Sequence, residues 1–241
     1  MNSIPAADLP QLTTAQMREV DRLMIEEWQI SLIQMMENAG RGLAELARHL
    51  LGGKVGGNCV IALCGTGNNG GGGLVGARHL HNWGAQVNVI LAGSPHKLKQ
   101  VSAHQWRIVQ KMGLCAGDAG LGAADLVLDA MIGYGLVGTP RAPISEWIAR
   151  ANASGARILA LDAPTGLDTT TGVPSERCIR ADATLTLALP KTGLLQPSAK
   201  AWVGELVLAD IGVPPEVYAA PSLGLRVRPP FGEGAVVRVR E

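Results

Sequence analysis

The strongest fold signal in the sequence is the run Cys64-Gly65-Thr66-Gly67-Asn68-Asn69-Gly70-Gly71-Gly72-Gly73. It follows an apolar run, Val60 to Leu63, and precedes a segment with helical spacing, Leu74 to Trp83. This order predicts a strand, a glycine-rich turn and a helix N-terminus, a junction at which α/β proteins bind anions. Glycines can adopt positive φ and let a ligand approach the backbone, which suits such a site. No Lys followed by Ser or Thr comes after the last glycine, so the run is not a Walker loop.

Length and composition restrict the classes of protein to consider. Residues 1–241 are enough for one large α/β domain and few for two, so a single domain is predicted. With 21 basic and 20 acidic residues, the chain has no electrostatic footprint for nucleic acid or an anionic membrane. No apolar run reaches the roughly 18 residues that span a bilayer, and Met1 to Gln11 does not resemble a signal peptide. We therefore expect a cytoplasmic protein with four buried free cysteines.

Two helices are predicted before the first strand. The residues Thr13 to Gln16 match a capping box, and an apolar stripe continues from there to about Trp28. A second helix is predicted from Ser31 to Leu50, with a stop at Gly52-Gly53. Such an extension covers a sheet edge, closes over a pocket or forms a dimer contact. The sequence leaves these three roles open.

After the glycine run, apolar strand patterns alternate with helical patterns, which predicts a mostly parallel sheet. Predicted strands are Gln86 to Leu91, Ala124 to Ala130, Arg157 to Leu161, Ala183 to Leu189 and Trp202 to Leu208, and predicted helices are Leu98 to Met112 and Ile144 to Ala153. The segment Leu223 to Glu241 is interpreted as a short edge hairpin or a tail.

Three predicted strands end in polar, glycine-rich sequence. The first end is the glycine run, the second is the segment from Asp129 to Pro140, and the third is the segment from Asp162 to Asp168. Because ligands bind outside the carboxyl ends of strands in an open parallel sheet, we expect all three ends to line one crevice. Each acid could instead be a helix cap or a loop acceptor, and the glycines could only form turns. The convergence of the three ends favours a site for a phosphate-bearing small molecule.

In this order, the three blocks resemble the NAD(P)H-hydrate epimerase family, also known as the YjeF N-terminal domain. The similarity extends from Leu12-Thr13 through the segment Met36 to Gly40 and the three strand ends to Lys191-Thr192-Gly193. The resemblance implies a three-layer α/β/α Rossmann-like fold, often dimeric. It also implies epimerisation of the R and S forms of NADHX and NADPHX, the hydrated nicotinamide dinucleotides. An S-specific dehydratase is the implied functional partner.

Site residues follow from the same resemblance. Asp162 would face the hydrated ring, and a potassium ion would be coordinated by Asn69, Asp129 and Thr165. The residues implied to hold the dinucleotide are Asn68, Asn69, Gly70, Gly71, Gly72, Gly133, Tyr134, Gly135, Leu136, Val137, Gly138 and Thr139. Amide, carboxylate and hydroxyl oxygens suit a hard cation, although they do not identify potassium. We hypothesise that Asp162 protonates the departing hydroxyl and deprotonates the incoming water.

The sequence departs from the family pattern at two positions. Gly72 stands where the family loop usually has an acid, and Thr165 stands where the potassium ligand is commonly Ser. Thr165 keeps the hydroxyl, whereas Gly72 removes a charge beside the pocket. The alternative hypothesis is therefore a non-catalytic nucleotide-binding or protein-interaction module of the same fold. The retained polar residues at the other site positions favour the enzyme.

Overall fold

The computed structural model describes residues 1–115, 120–228 and 230–240, which form an eight-stranded sheet with the order β1-β8-β7-β6-β5-β4-β2-β3. Neighbouring strands run parallel except for β7 and β8. The strands are β1 Ser3–Pro5, β2 Cys59–Cys64, β3 Gln86–Leu91, β4 Leu126–Ala130, β5 Arg157–Leu161, β6 Ala183–Leu187, β7 Glu205–Ala209 and β8 Val236–Arg240. The chain reverses its direction of travel across the sheet between β3 and β4, so the ends of β2 and β4 lie at a topological switch point.

Helices pack on both faces of this sheet, which confirms the predicted three-layer α/β/α arrangement. They are α1 Thr14–Arg22, continued by a π-helical stretch Leu23–Glu27, then α2 Leu32–Leu50, α3 Asn68–Asn82, α4 Gln100–Lys111, α5 Ile144–Asn152, α6 Lys200–Val203 and α7 Pro215–Tyr218. The capping box predicted at Thr13 and Gln16 is present, and Ser31 with Gln34 forms a second one at the start of α2. Both helices therefore begin where the sequence predicts.

Strand β2 shows how the sequence builds the layers. Side chains alternate between the two faces of a strand, so a fully buried strand needs apolar residues at every position. Val60, Ala62 and Cys64 belong to the core that α2, α3 and α4 cover. Ile61 and Leu63 belong to the core on the opposite face, which α5 covers. A third apolar cluster joins α1 to the C-terminal part of the chain.

Three expectations about the strands at one side of the sheet are wrong. The short strand β1, Ser3–Pro5, precedes α1, so the two helices do not come before the first strand. Trp202 lies in α6, and β7 starts only at Glu205. Within the described part of the C-terminal segment, a single strand, β8, replaces the expected hairpin or tail. The sequence could not show this pairing because β8 lies between β1 and β7, and β1 is far away along the chain.

The glycine run does not form the expected turn. Helix α3 already begins at Asn68, so the four consecutive glycines lie in its first turns and not before it. None of the glycines in this run, all of which are described, has a positive φ. A Cβ on Gly70 would overlap the backbone oxygen of Gly65, and a Cβ on Gly73 would overlap the Cβ of Ala130. These glycines therefore allow α3 to approach the ends of β2 and β4 closely.

The cysteine prediction holds in part. All four cysteines are free, and Cys64 and Cys178 are buried. Cys59 is half-buried, and Cys115 is exposed, contrary to expectation. No helix among the described residues is long and apolar enough to cross a membrane.

The packing of α2 on α3 yields a stability prediction. A Cβ on Gly40 would overlap the Cβ of Val75 and lie 2.7 Å from the backbone oxygen of Gly72. Gly40→Ala should therefore lower the free energy of unfolding by about 1–3 kcal/mol, measured by urea denaturation. Gly42→Ala in the same helix is the matched control, because its Cβ would meet no atom closer than 3.4 Å, at Ala209. The control should be neutral or stabilising by up to about 1 kcal/mol, and equal effects of the two variants would contradict the packing argument.

Candidate active site

A cavity of about 590 Å³ opens at the carboxyl ends of β2, β4 and β5. Residues of α1 and α2, among them Met17, Leu32 and Met36, form one wall, and the segment Thr66 to Asn69 forms another. Of the three roles left open for the N-terminal helices, the structure therefore shows that they help to enclose a pocket. The position of the cavity agrees with the expected crevice at the strand ends.

The structure brings part of the expected ligand-binding set to this cavity. The residues of that set that line it are Asn68, Asn69, Gly72, Gly133, Tyr134, Gly135 and Asp162. Gly70 and Gly71 are buried in the packing of α3. The turn from Leu136 to Thr139 continues away from the cavity lining, and Val137 is 85% exposed. Asp129 and Thr165 are both fully buried and do not line the cavity.

Asp162 lies at the first position after β5, in an unusual backbone conformation. Its φ is +68°, which is rare for a residue with a side chain. The N–H of Ala163 donates to the carbonyl of Leu161 at 2.9 Å, so Asp162 is the central residue of a three-residue turn. The N–H of Asp162 donates to the carbonyl of Leu185 at 2.7 Å, which ties this turn to β6. Such backbone strain persists where the surrounding structure holds it, and it is frequent at functional sites.

Both oxygens of the Asp162 carboxylate have partners. The ammonium of Lys191 donates to Oδ1 at 2.5 Å, and the backbone N–H of Tyr134 donates to Oδ2 at 2.8 Å. Lys191 is completely buried and also donates to the carbonyl of Leu187 at 2.8 Å. A buried carboxylate and a buried ammonium stabilise each other only in such close geometry, because both have lost their hydration. Asp162 is therefore held as a carboxylate at the cavity surface.

Lys191 belongs to the last segment of the family resemblance, but the sequence predicted no role for it. The ion pair joins the end of β5 to the segment after β6, at residues far apart in sequence. The available signal was a lysine in the otherwise apolar and hydroxyl-bearing surroundings of β6. Lysines are almost never fully buried without a partner, so a lysine at this position could have indicated a carboxylate buried beside it.

Asp129, at the end of β4, is completely buried without an ion-pair partner among the described residues. Its Oδ2 accepts from the backbone N–H of Thr165 at 2.7 Å, and its Oδ1 accepts from the Thr165 hydroxyl at 2.7 Å. The N–H of Met131 also donates to Oδ1 at 3.3 Å. Burial is the largest effect and raises the pKa of Asp129 to about 6, although these donors oppose it. The arrangement fixes the turns after β4 and β5 relative to each other.

Asn69, in the first turn of α3, contacts the end of β5. Its amide nitrogen donates to the carbonyl of Leu161 at 3.2 Å. A Cβ on Gly133 would lie 2.6 Å from Asp162 Oδ2 and 3.0 Å from Asn69 Oδ1, so both side chains surround this glycine. The Thr165 hydroxyl accepts from the N–H of Ile132 at 3.0 Å, next to Gly133 in sequence. The four polar residues singled out from the sequence therefore converge around Ile132 and Gly133.

Further charged residues of the cavity wall were missed. Arg18 and Asp21 line it from α1, and Lys99 lines it beside the first turn of α3. The Tyr134 hydroxyl donates to Asp21 Oδ2 at 2.5 Å. Burial raises the pKa of Asp21, and this effect exceeds the opposing one of the Tyr134 hydrogen bond. Helical periodicity alone could not separate these side chains from an ordinary solvated helix face.

Comparisons with known proteins show the family of the chain. The profile of the family described as YjeF-related protein N-terminus matches residues 32–193. The chain is 45% identical over 231 residues to a protein of Dehalogenimonas lykanthroporepellens named NAD(P)H-hydrate epimerase, covering 95% of this chain and 92% of the relative. A protein of the same name from Rhodopirellula baltica is 40% identical over 220 residues, covering 88% of each chain.

Two further matches are a longer protein and a more distant protein of similar length. The bifunctional NAD(P)H-hydrate repair enzyme Nnr of Moorella thermoacetica is 37% identical over 227 residues, covering 90% of this chain and 43% of the relative. The crystal structure of yeast ynu0 has a TM-score of 0.80 and 21% identity, covering 96% of this chain and all of that one. At this identity, the structural match supports the fold alone.

The buried ion pair yields a second stability prediction. Lys191→Met leaves the Asp162 carboxylate without its cation and should lower the free energy of unfolding by about 3–5 kcal/mol, measured by urea denaturation at neutral pH. The double variant Lys191→Met/Asp162→Asn removes both charges and should recover part of this loss. If Lys191→Met unfolds at the wild-type urea concentration, the ion pair does not stabilise the protein.

Proposed function

The chain belongs to the family described as YjeF-related protein N-terminus, and from this premise we propose that it epimerises hydrated NADH and NADPH in nicotinamide nucleotide repair. Its substrates are the R and S forms of NADHX and NADPHX. The observation that carries the proposal is the Asp162 carboxylate, held at both oxygens on the surface of a cavity large enough for part of a dinucleotide. A preorganised carboxylate at this point suits proton transfer to and from a bound ring.

The first turn of α3 offers the place for the diphosphate. Its N-cap, Gly67, forms no side-chain cap, and Asn68 and Asn69 line the cavity. The N–H groups at a helix N-terminus and the helix dipole favour an anion there. Lys99 adds a positive charge on the same wall. The diphosphate bound there would direct the hydrated nicotinamide towards Asp162, while Gly133, Tyr134 and Gly135 line the other side.

Epimerisation at the hydrated carbon requires loss of the hydroxyl as water and attack by water on the opposite face of the ring, with one proton transfer in each step. The carbon–oxygen bond breaks with its electron pair on oxygen, which takes a proton and leaves as water, while the ring nitrogen donates its lone pair to form an iminium-like cation. Water then attacks the same carbon from the opposite face and gives up a proton. Asp162 is arranged to accept this proton as a carboxylate. The proton for departure comes from the Lys191–Asp162 pair: the Lys191 ammonium passes a proton to Asp162 as the hydroxyl leaves, and it regains one from Asp162 after the water attacks. The negative charge of Asp162 also stabilises the cation between the two steps.

Asp162→Asn tests this role. The amide keeps the size of the side chain but can neither accept nor supply the proton, so kcat for epimerisation should fall by about 10²–10⁴-fold. The measurement is the conversion of purified R-NADHX, followed by a coupled S-specific dehydratase. Wild-type rates in Asp162→Asn would show that another group transfers the proton.

The absence of a loop acid at Gly72 does not favour the non-catalytic alternative. A Cβ on Gly72 would lie 2.8 Å from Leu161 Cδ2, so the Leu161 side chain fills the space into which a longer residue would project. The same assay therefore includes Gly72→Asp. Activity in the wild type supports the enzyme, whereas activity that arises only after Gly72→Asp would overturn the proposed function.

We also propose that potassium binds at Asn69, Asp129 and Thr165. The fully buried carboxylate of Asp129 has neutral donors but no cation among its described partners, and the Asn69 oxygen and the Thr165 hydroxyl lie near Ile132 and Gly133. An oxygen-only set with one buried negative charge fits a hard monovalent cation. When bound, the ion would fix the turns after β4 and β5 and stabilise the ionised carboxylate.

Potassium binding predicts a selective change in stability. The melting temperature should rise with KCl more than with choline chloride at equal ionic strength, because an ion that binds only the folded state stabilises it by mass action. Asp129→Asn removes the negative charge of the site and should abolish the difference between the two salts. Equal melting temperatures in both salts for the wild type would contradict the potassium site.

An epimerase of this kind acts together with an NAD(P)H-hydrate dehydratase, which consumes the S form. The bifunctional name of the longer relatives supports such a partnership. A homodimer and a cytoplasmic location stay predictions of the family resemblance and of composition.

A further inference from the structure

Tyr134 connects two elements of the site through two different parts of the residue. Its backbone N–H donates to Asp162 Oδ2 at 2.8 Å, and its hydroxyl donates to Asp21 Oδ2 at 2.5 Å. Asp21 lies on α1 and lines the same cavity as Asp162, which follows β5. One residue therefore links the first helix of the chain to the proposed acid–base residue.

The side chain of Tyr134 is the anchor of an exposed turn. Gly135 and the residues from Val137 to Thr139 are exposed, while Tyr134 is half-buried against the apolar cluster that contains Met17 and Leu189. The backbone N–H that holds Asp162 belongs to the anchored residue. The position of this N–H group therefore depends on how the tyrosine ring and hydroxyl are held. The bond to Asp21 holds the hydroxyl firmly, because a hydrogen bond to a carboxylate is stronger than one to a neutral acceptor.

Burial makes the position of the Asp21 carboxylate unfavourable, and the nearby Asp162 carboxylate adds to this cost. The Asp21 carboxylate is half-buried and faces the Asp162 carboxylate and the Lys191 ammonium, with the Tyr134 hydroxyl as its direct partner. Burial raises the pKa values of both Asp21 and Tyr134. The positive charge of Arg18 on the same helix lowers the pKa of the Tyr134 hydroxyl and so opposes the effect of burial. Acids shifted by burial in a cleft are typical of functional sites.

We propose that Asp21 and Tyr134 form a positioning pair, in which the Asp21 carboxylate fixes the tyrosine so that its backbone N–H aligns Asp162 for catalysis. This inference rests on the proposed epimerase function and assigns residues to it. Asp21 belongs to no part of the expected site. The resemblance assigns Tyr134 to dinucleotide binding, but its hydroxyl is bonded to Asp21. The contribution of Tyr134 to the reaction is therefore indirect.

Steady-state kinetics of R-NADHX epimerisation test the pair. Tyr134→Phe and Asp21→Ala should each lower kcat by about 10- to 100-fold with KM changed by less than about threefold, because a misplaced catalytic group affects the reaction more than binding. The double variant should be no slower than the slower single variant, since both changes remove one interaction. Asp21→Asn keeps an acceptor oxygen and should recover part of the rate.

The chain offers a matched control. It contains two tyrosines, and the other, Tyr218, is buried in the same apolar cluster but lies outside the cavity. Tyr218→Phe should retain the wild-type kcat. With ¹³Cζ-labelled tyrosine, Asp21→Ala should shift the NMR resonance of Tyr134 and leave that of Tyr218 unchanged, independently of any activity.

The outcomes separate this inference from the proposed function. An inactive wild type overturns the epimerase function. If the wild type is active, a normal kcat in Asp21→Ala overturns the positioning pair alone. A slow Tyr134→Phe in that case would show that the hydroxyl contacts the substrate instead. Multiplied losses in the double variant, or an unshifted Tyr134 resonance, also overturn the pair.

Discussion

The close approach of helix α3 to the strand ends and to α2 is the constraint on which the site depends. Overlap with Gly65 and Ala130 would follow from a Cβ on Gly70 or Gly73, and a Cβ on Gly40 would collide with Val75. Helix interiors disfavour glycine by roughly 0.5–1 kcal/mol relative to alanine, so a run of four is costly. The cost is offset by a geometry in which the first turn of α3 lies directly over the switch point between β2 and β4.

This geometry gives two neighbouring carboxylates different environments. Asp129 is buried among neutral donors, and burial raises its pKa to about 6. Asp162 lies at the cavity surface and is paired with the buried ammonium of Lys191. The first arrangement suits the binding of a cation and the fixing of two turns, and the second suits proton transfer. Environment, and not residue type, therefore separates the two roles.

Both walls of the cavity contribute to the alignment of Asp162. The buried Lys191 ammonium donates to one oxygen of Asp162, and the backbone N–H of Tyr134, in the turn after β4, donates to the other. Asp21 reaches the same tyrosine from α1. Helix α1 therefore contributes a polar residue to the surroundings of the proposed acid–base group.

The sequence alone determined the alternation of strands and helices, the capping box at Thr13 and Gln16 and the placement of Asp129 and Asp162 at strand ends, because these follow from local periodicity and from neighbours a few residues apart. Only the tertiary structure decided that the glycines serve close packing, that β1 joins β8, and that Asp162 pairs with Lys191 while Asp21 pairs with Tyr134. The physical reason is distance along the chain. Partners separated by 29 and 113 residues leave no periodic signal, and their hydrogen bonds exist only after the sheet has brought the strand ends together.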